Sequence, residues 1–228
     1  MKYFFALLGL VIAALLAPFL LAPEKTANPP PVEHAMPWQI EVLADGRTKV
    51  FGLIPGSSPL AEARLQFAGP AGVNPMPSIV APEFGAASLE IYFDSVNLGA
   101  LTGKAVITLE ASGKEIETMQ NRAAKADYMA SGTKKYLLNP SDLVAAEQRP
   151  IRAIAFIPAP NLDEQIILQR FGTPAERIPQ GETLEHFLYP AKGLDVVLDS
   201  KGKELLQYVA PKNFASLREP LLKPAPAQ

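Results

Sequence analysis

The chain has 228 residues, 48% of them apolar, a formal net charge of −2 and no cysteine; that is enough for one or two domains with a real core. The charge offers no basic face of the kind that grips nucleic acid. The absence of cysteine excludes disulfides, thiolate metal sites, cysteine nucleophiles and a lipid-acceptor thiol.

Residues 4–22 read FFALLGLVIAALLAPFLLA, without a charge. As a helix rising ~1.5 Å per residue, this run nearly spans the ~30 Å hydrocarbon layer of a bilayer. Lys2 and the α-amino group precede it, while Glu24 and Lys25 follow and cancel. That bias places the N-terminus in the cytoplasm and the remainder in the periplasm or outside. A cleaved signal peptide is the alternative. Its cleavage sites are poor, because Ala17 and Ala22 are each followed by proline and Ala27 has Lys25 at −3. The expectation is a signal-anchor over 1–23, single-pass in the cytoplasmic membrane and inserted through residues 4–22. A proline-rich linker follows over 24–36, where three consecutive prolines favour extended polyproline II.

WQIEVL and TKVFGL flank Asp45-Gly46, a hairpin pattern. Ser57, Ser58 and Pro59 open a short helix whose Leu60, Ala63 and Phe67 share a face, and Gly69-Pro70 ends it. A loop rich in proline and glycine runs to about residue 86. SLEIYF and KAVITLE alternate as strands. From Lys114 to Tyr128 the spacing of Ile116, Met119, Ala123 and Ala126 predicts a helix. KKYLL reads as a strand, and Asn139-Pro140-Ser141-Asp142 starts a helix through about Gln148. IRAIAFIP is a buried strand, and Asn161 caps the helix LDEQIILQRF, which stops at Gly172. TLEHFLY, GLDVVLD and ELLQYV are strands, with Lys201-Gly202 turning between the last two, and PLLKPAPAQ is a tail.

Two segments agree in order. IPGSSPLAEARLQFAGP from Ile54 matches IPAPNLDEQIILQRFGTP from Ile157, SLEIYF matches TLEHFL, and TLEASGKEI matches VLDSKGKEL. The fold class expected is α+β: two similar modules, 37–132 and 133–218, each with short helices on its own antiparallel meander, before a disordered tail at 219–228. The pattern of polar cap, short helix, Phe-Gly-x-Pro and meander with Tyr-Pro resembles the BamE-like (SmpA/OmlA) family of envelope proteins, best over 157–211 and more weakly over 48–120. The chain departs from that family in lacking the lipidated cysteine. The resemblance implies helices on a three-stranded antiparallel sheet and a non-catalytic, interaction-type role.

Little in the sequence carries chemistry. His34 lies in the linker, where nothing positions it. His186 alternates with Leu184 and Leu188 and takes the place of Ile91 in the repeat, so it reads as a histidine at a sheet edge. No G-x-S-x-G elbow is present, and Ser57 and Ser58 read as a helix cap. Asp163 and Glu164 sit in a helix's first turn, and Asp195 and Asp199 on the outer face of a strand, without metal-site spacing. Trp38, Phe51, Phe171, Phe187, Tyr189, Tyr208 and Phe214 read as core. Tyr189-Pro190 and Tyr208 to Pro211 are candidates for an exposed partner-binding edge. The function expected is a membrane-anchored, non-catalytic binding or scaffold protein of the bacterial envelope. It needs no cofactor and no nucleic acid, and its partner is an unidentified envelope protein. The alternative is an envelope hydrolase using His186 with a nearby carboxylate.

Overall fold

Strand alternation dominates the computed structural model, which describes residues 36–67, 75–83, 85–129 and 131–223. These belong to one unit, His34–Gln228. The anchor expected at 4–22, His34 and the end of the tail at 224–228 lie outside the described residues. Among the described residues no helix is long and apolar enough to cross a membrane.

A small hairpin opens the unit, β1 (Glu41–Val42) against β2 (Thr48–Lys49). The strands of the main sheet are β3 (Ser78–Ala81), β4 (Ser88–Leu98), β5 (Leu101–Leu109), β6 (Lys125–Tyr128), β7 (Lys134–Leu137), β8 (Ile151–Pro158), β9 (Glu176–Gln180), β10 (Leu184–Tyr189), β11 (Leu194–Asp199) and β12 (Leu205–Val209). The helices are α1 (Leu60–Phe67), α2 (Gly113–Asn121), α3 (Pro140–Glu147), α4 (Glu164–Phe171) and α5 (Ala215–Leu221).

The ten strands form one antiparallel sheet in the order β6-β7-β3-β4-β5-β8-β12-β11-β10-β9. This corrects the α+β class expected. The protein is mostly β with five short helices among the described residues, and the two segments do not close two separate meanders. The reason is β8. It pairs β5 on one side and β12 on the other, so neither flank is left with a free inner edge to end a module. The strand order is nonetheless balanced about the β8/β12 boundary. β3, β4, β5 and β8 approach it from one side, and β9, β10, β11 and β12 from the other. The stretch α2-β6-β7-α3 is inserted between β5 and β8, and its two strands extend the first flank.

Alternation gives the sheet two unlike faces. The front face carries Ile91, Phe93, Ile107, Ile154, Phe156, Val196, Phe187 and Tyr208, all buried in one core with Leu60, Ala63, Phe67, Ile116, Met119, Ile167 and Phe171 from α1, α2 and α4. Phe51 joins the flanks: its ring lies 5.9 Å from Phe67, 5.7 Å from Phe156 and 5.3 Å from Tyr208. It occupies a left-handed position (φ 54°) beside Gly52 (φ 77°), in a two-residue turn closed by reciprocal Val50–Leu53 backbone bonds. An aromatic residue resists that conformation, and complete burial of the ring offsets the cost.

Local signals explain most helix ends. Ser112 and Glu115 form a capping box on α2, Asn139 caps α3 ahead of Pro140, and Asp163 rather than Asn161 caps α4. Asn161 instead accepts from Lys203. Ser57 and Ser58 do not cap α1. Ser58 Oγ accepts the Ile54 amide at 3.1 Å, and the Leu60 amide donates to Arg149 O at 3.0 Å. The helix expected over 114–128 ends at Asn121, and the chain continues as β6, whose residues are all exposed.

Candidate functional site

The back face of the sheet differs between the two flanks. On the second flank α5 covers it: Phe214, Leu217 and Leu221 pack on Leu188, Val209, Ile178 and Ala153. An ion pair fixes the helix to the edge strand, Arg218 Nε to Glu176 Oε2 at 2.6 Å and Nη2 to Oε1 at 3.1 Å. Holding a cation against the carboxylate, this pair keeps Glu176 below the usual carboxylate range.

His186 and Asp195 lie on this same face, with side chains 6% and 2% exposed. The His186 Nδ1–Asp195 Oδ2 distance is 2.8 Å, and Nε2 lies 3.2 Å from Gln180 Oε1. Asp195 is therefore interior rather than on an outer surface. His186 does not take the place of Ile91, because Ile91 faces the helices and His186 faces away from them. The repeat is aligned one residue out at this strand, and a one-residue slip exchanges the faces. A signal for the pair was present in the sequence. The tight connection Tyr189–Leu194 pairs those two residues, which sets Leu188 opposite Asp195 and His186 diagonal to it.

The pair has the look of a general base with its orienting carboxylate, but catalysis needs more. Nε2 faces Gln180, and the ring is sealed in the sheet. Asp195 Oδ1 and Glu204 Oε2 are buried with no hydrogen-bond partner among the described residues. The other carboxylates singled out in the sequence are engaged separately. Asp163 accepts the Ile166 amide, Glu164 pairs with Arg177, and Asp199 accepts the Lys201 amide. Among the described residues no three histidine, aspartate or glutamate side chains converge as metal ligands. Arg170 stacks over Trp38 at 4.8 Å.

The aromatic edge expected at Tyr189, Pro190, Tyr208 and Pro211 does not form. β12 lies inside the sheet, and both tyrosines face the core, Tyr189 5% and Tyr208 1% exposed. Their hydroxyls donate to Gly172 O and Pro37 O, each at 2.9 Å. Burial pushes the Tyr189 hydroxyl up to about 12, and Tyr208 well above its ordinary value. Pro190 and Pro211 begin the short 3-10 turns that follow β10 and β12.

A different surface is open. On the first flank the back face of β7, β3, β4 and β5 forms a groove of 390 Å³. Met76, Val80, Tyr92, Val106, Met129 and Leu137 supply its apolar lining, and Glu90 and Lys135 its charges. Met76, Tyr92, Met129 and Leu137 count among the exposed large hydrophobic residues. The Tyr92 hydroxyl donates to Asp94 Oδ1 at 3.0 Å, and Lys104 sits 6.0 Å from the ring centroid. Sequence reading missed this site because Met76 and Val80 fall in the stretch read as loop, and Met129 and Leu137 in the insertion. The visible signal was Tyr92 and Val106, apolar residues on the strand face opposite the core positions.

No protein family, curated protein or solved structure matches the chain.

Proposed function

We propose that this is a non-catalytic binding or scaffold protein, held at a bacterial-type membrane by its N-terminal apolar run and presenting its β-sheet unit to an envelope protein. The observation that carries the reading is the apolar groove on the back face of the first flank. Exposed apolar surface of this kind is a hallmark of partner sites. The uncharged run at 4–22 supports attachment to the membrane. The resemblance of 157–211 to BamE-like envelope proteins supports an interaction role. The hydrolase alternative is weakened by the sealing of His186 against Asp195 and Gln180, with neither ring nitrogen turned to a cleft.

The test is complementation of a gene deletion by two single variants that keep the fold, each verified by its melting curve. Tyr92→Glu should abolish the phenotype, and His186→Gln, which cannot act as an acid–base group near pH 7, should preserve it. Loss with His186→Gln and retention with Tyr92→Glu would reverse the assignment in favour of the enzyme.

A further inference from the structure

Part of the groove on the first flank has a counterpart inside the molecule, and that part is occupied there. Setting Leu109 against Leu198, as the Thr-Leu-Glu and Val-Leu-Asp stretches align, the pairing registers fix the other strands. Tyr92 and Ser78 of the groove then correspond to Leu188 and Ile178, and Ile157, which lies outside the groove, corresponds to Val209. Leu188, Ile178 and Val209 are the residues on which α5 and the preceding Phe214 rest. The molecule covers this face on one flank with a short helical segment, using apolar residues at i, i+3 and i+7: Phe214, Leu217 and Leu221. At the matching position on the other flank Tyr92 is 44% exposed and lines the groove.

We propose that the groove receives an amphipathic α-helix of a partner protein, packed as α5 packs on the opposite flank. The proposal rests on the binding reading above and names the partner's chemistry. Four strands at ~4.8 Å spacing span about 14 Å, which accepts a helix ~10–12 Å across. Met76 and Met129 border the groove, and their flexible thioethers adapt to a partner's side chains. Glu90 on β4 and Lys135 on β7 stand two strands apart, about 10 Å across the sheet. They ask for a basic residue and an acidic residue on the helix, as Glu176 holds Arg218 of α5. An added strand does not suit this place. The groove is a sheet face whose central strands β3 and β4 already pair on both sides, so it offers no free ladder.

The experiment places the photocrosslinking residue p-benzoylphenylalanine at Val106 of the full-length chain in its own cells, and sequences the crosslinked peptides. The expected result is adducts on one partner segment at positions three and four apart, with apolar residues at i, i+3 and i+7. Tyr92→Glu should cut the yield at least about tenfold, and Leu65→Glu, on the exposed side of α1, should not. Adducts at alternate residues of a partner would overturn the helix and leave the binding reading intact. Adducts to lipid, to residues 1–35 of the same chain or to a second copy would overturn the helical partner. The absence of any adduct would overturn both the helix and the groove as a binding site, while failure of the His186→Gln complementation strikes the binding reading alone.

Discussion

One sheet carries two back faces built at equivalent register, and they have been finished differently. On the second flank a helical segment seals Leu188, Val209 and Ile178, and a His186–Asp195 pair is enclosed with them. On the first flank the corresponding Tyr92 and Val106 stand in an open groove beside Glu90 and Lys135. The front faces are alike: both are closed by a short helix ending in a buried phenylalanine, Phe67 in α1 and Phe171 in α4. The difference teaches that the exposed apolar surface is not forced by the architecture. On the second flank the fold covers Leu188 with its own helix, whereas the matching Tyr92 stays 44% exposed.

The largest expected effect breaks the comparison at one matched position. Leu188→Glu places a carboxylate in a site with no solvent access and should cost more than about 4 kcal/mol, a large part of the stability of an ordinary domain. Tyr92→Glu at the equivalent place should stay within about 0.5 kcal/mol, because Tyr92 is 44% exposed. Urea titration of both variants decides it. Equal losses would show that the two back faces are equally buried in solution.

Next in size, Phe67→Ala and Phe171→Ala should each cost about 3–5 kcal/mol. Phe67 packs edge-on to Phe51 and Phe93, and Phe171 edge-on to Trp38. Similar losses in denaturant melts would sharpen the likeness of the front faces; a cost under about 1 kcal/mol at either would place that ring outside the core.

The buried pair comes third. Asp195→Ala strands His186 in the sheet and should destabilise by about 3 kcal/mol. The double variant His186→Leu, Asp195→Leu should recover most of this, since replacing both members of a buried polar pair by apolar residues removes the desolvation cost. A double variant as unstable as the single one would mean that the pair holds the structure in a way hydrophobic packing cannot replace.

What could be read from sequence follows from where the signals were strong. The hairpin at Asp45-Gly46, the helices ending at Phe67 and Phe171 and the strands β4, β5, β8, β10, β11 and β12 all carry clear periodicity or turn chemistry. β3 was missed because its four residues, SIVA, sit among prolines. β9 was missed because ERIPQ is polar and contains Pro179, which an edge strand tolerates. α5 was hidden by Pro220 within ASLREPL. The helix read over 114–128 continued about two turns too far because Ala123 and Ala126 extend its spacing without contributing to the core. The single sheet could not be read at all: local pattern does not say that β8 finds β5 across the 41-residue gap between Leu109 and Ile151. The candidate groove shared that fate, since β3 meets β7 only through another long-range pairing, Ser78 with Leu137.

The smallest expected effect lies where the flanks differ by a single oxygen. By the same registers, Tyr189 corresponds to Phe93 and Tyr208 to Phe156, all four facing the front core. Near neutral pH, Tyr189→Phe or Tyr208→Phe removes one hydrogen bond, to Gly172 O or Pro37 O, and should cost about 1 kcal/mol each. In alkali the tyrosines become a liability. Burial raises both hydroxyls above their ordinary value of about 10, Tyr189 to about 12. Between pH 10 and 12 the unfolded chain releases these protons while the folded chain keeps them. The stability they contribute is therefore complete below pH 10 and falls as pH rises through the folded-state values. The double variant Tyr189→Phe, Tyr208→Phe makes the second flank resemble the first at these positions and should flatten that decline. Melting temperatures measured from pH 8 to 11.5 should show the wild-type advantage at neutral pH shrinking and then reversing. Parallel curves for the two proteins across this range would mean that the tyrosines ionise as freely in the folded chain as in the unfolded one, and that the second flank opens to water more readily than its packing implies.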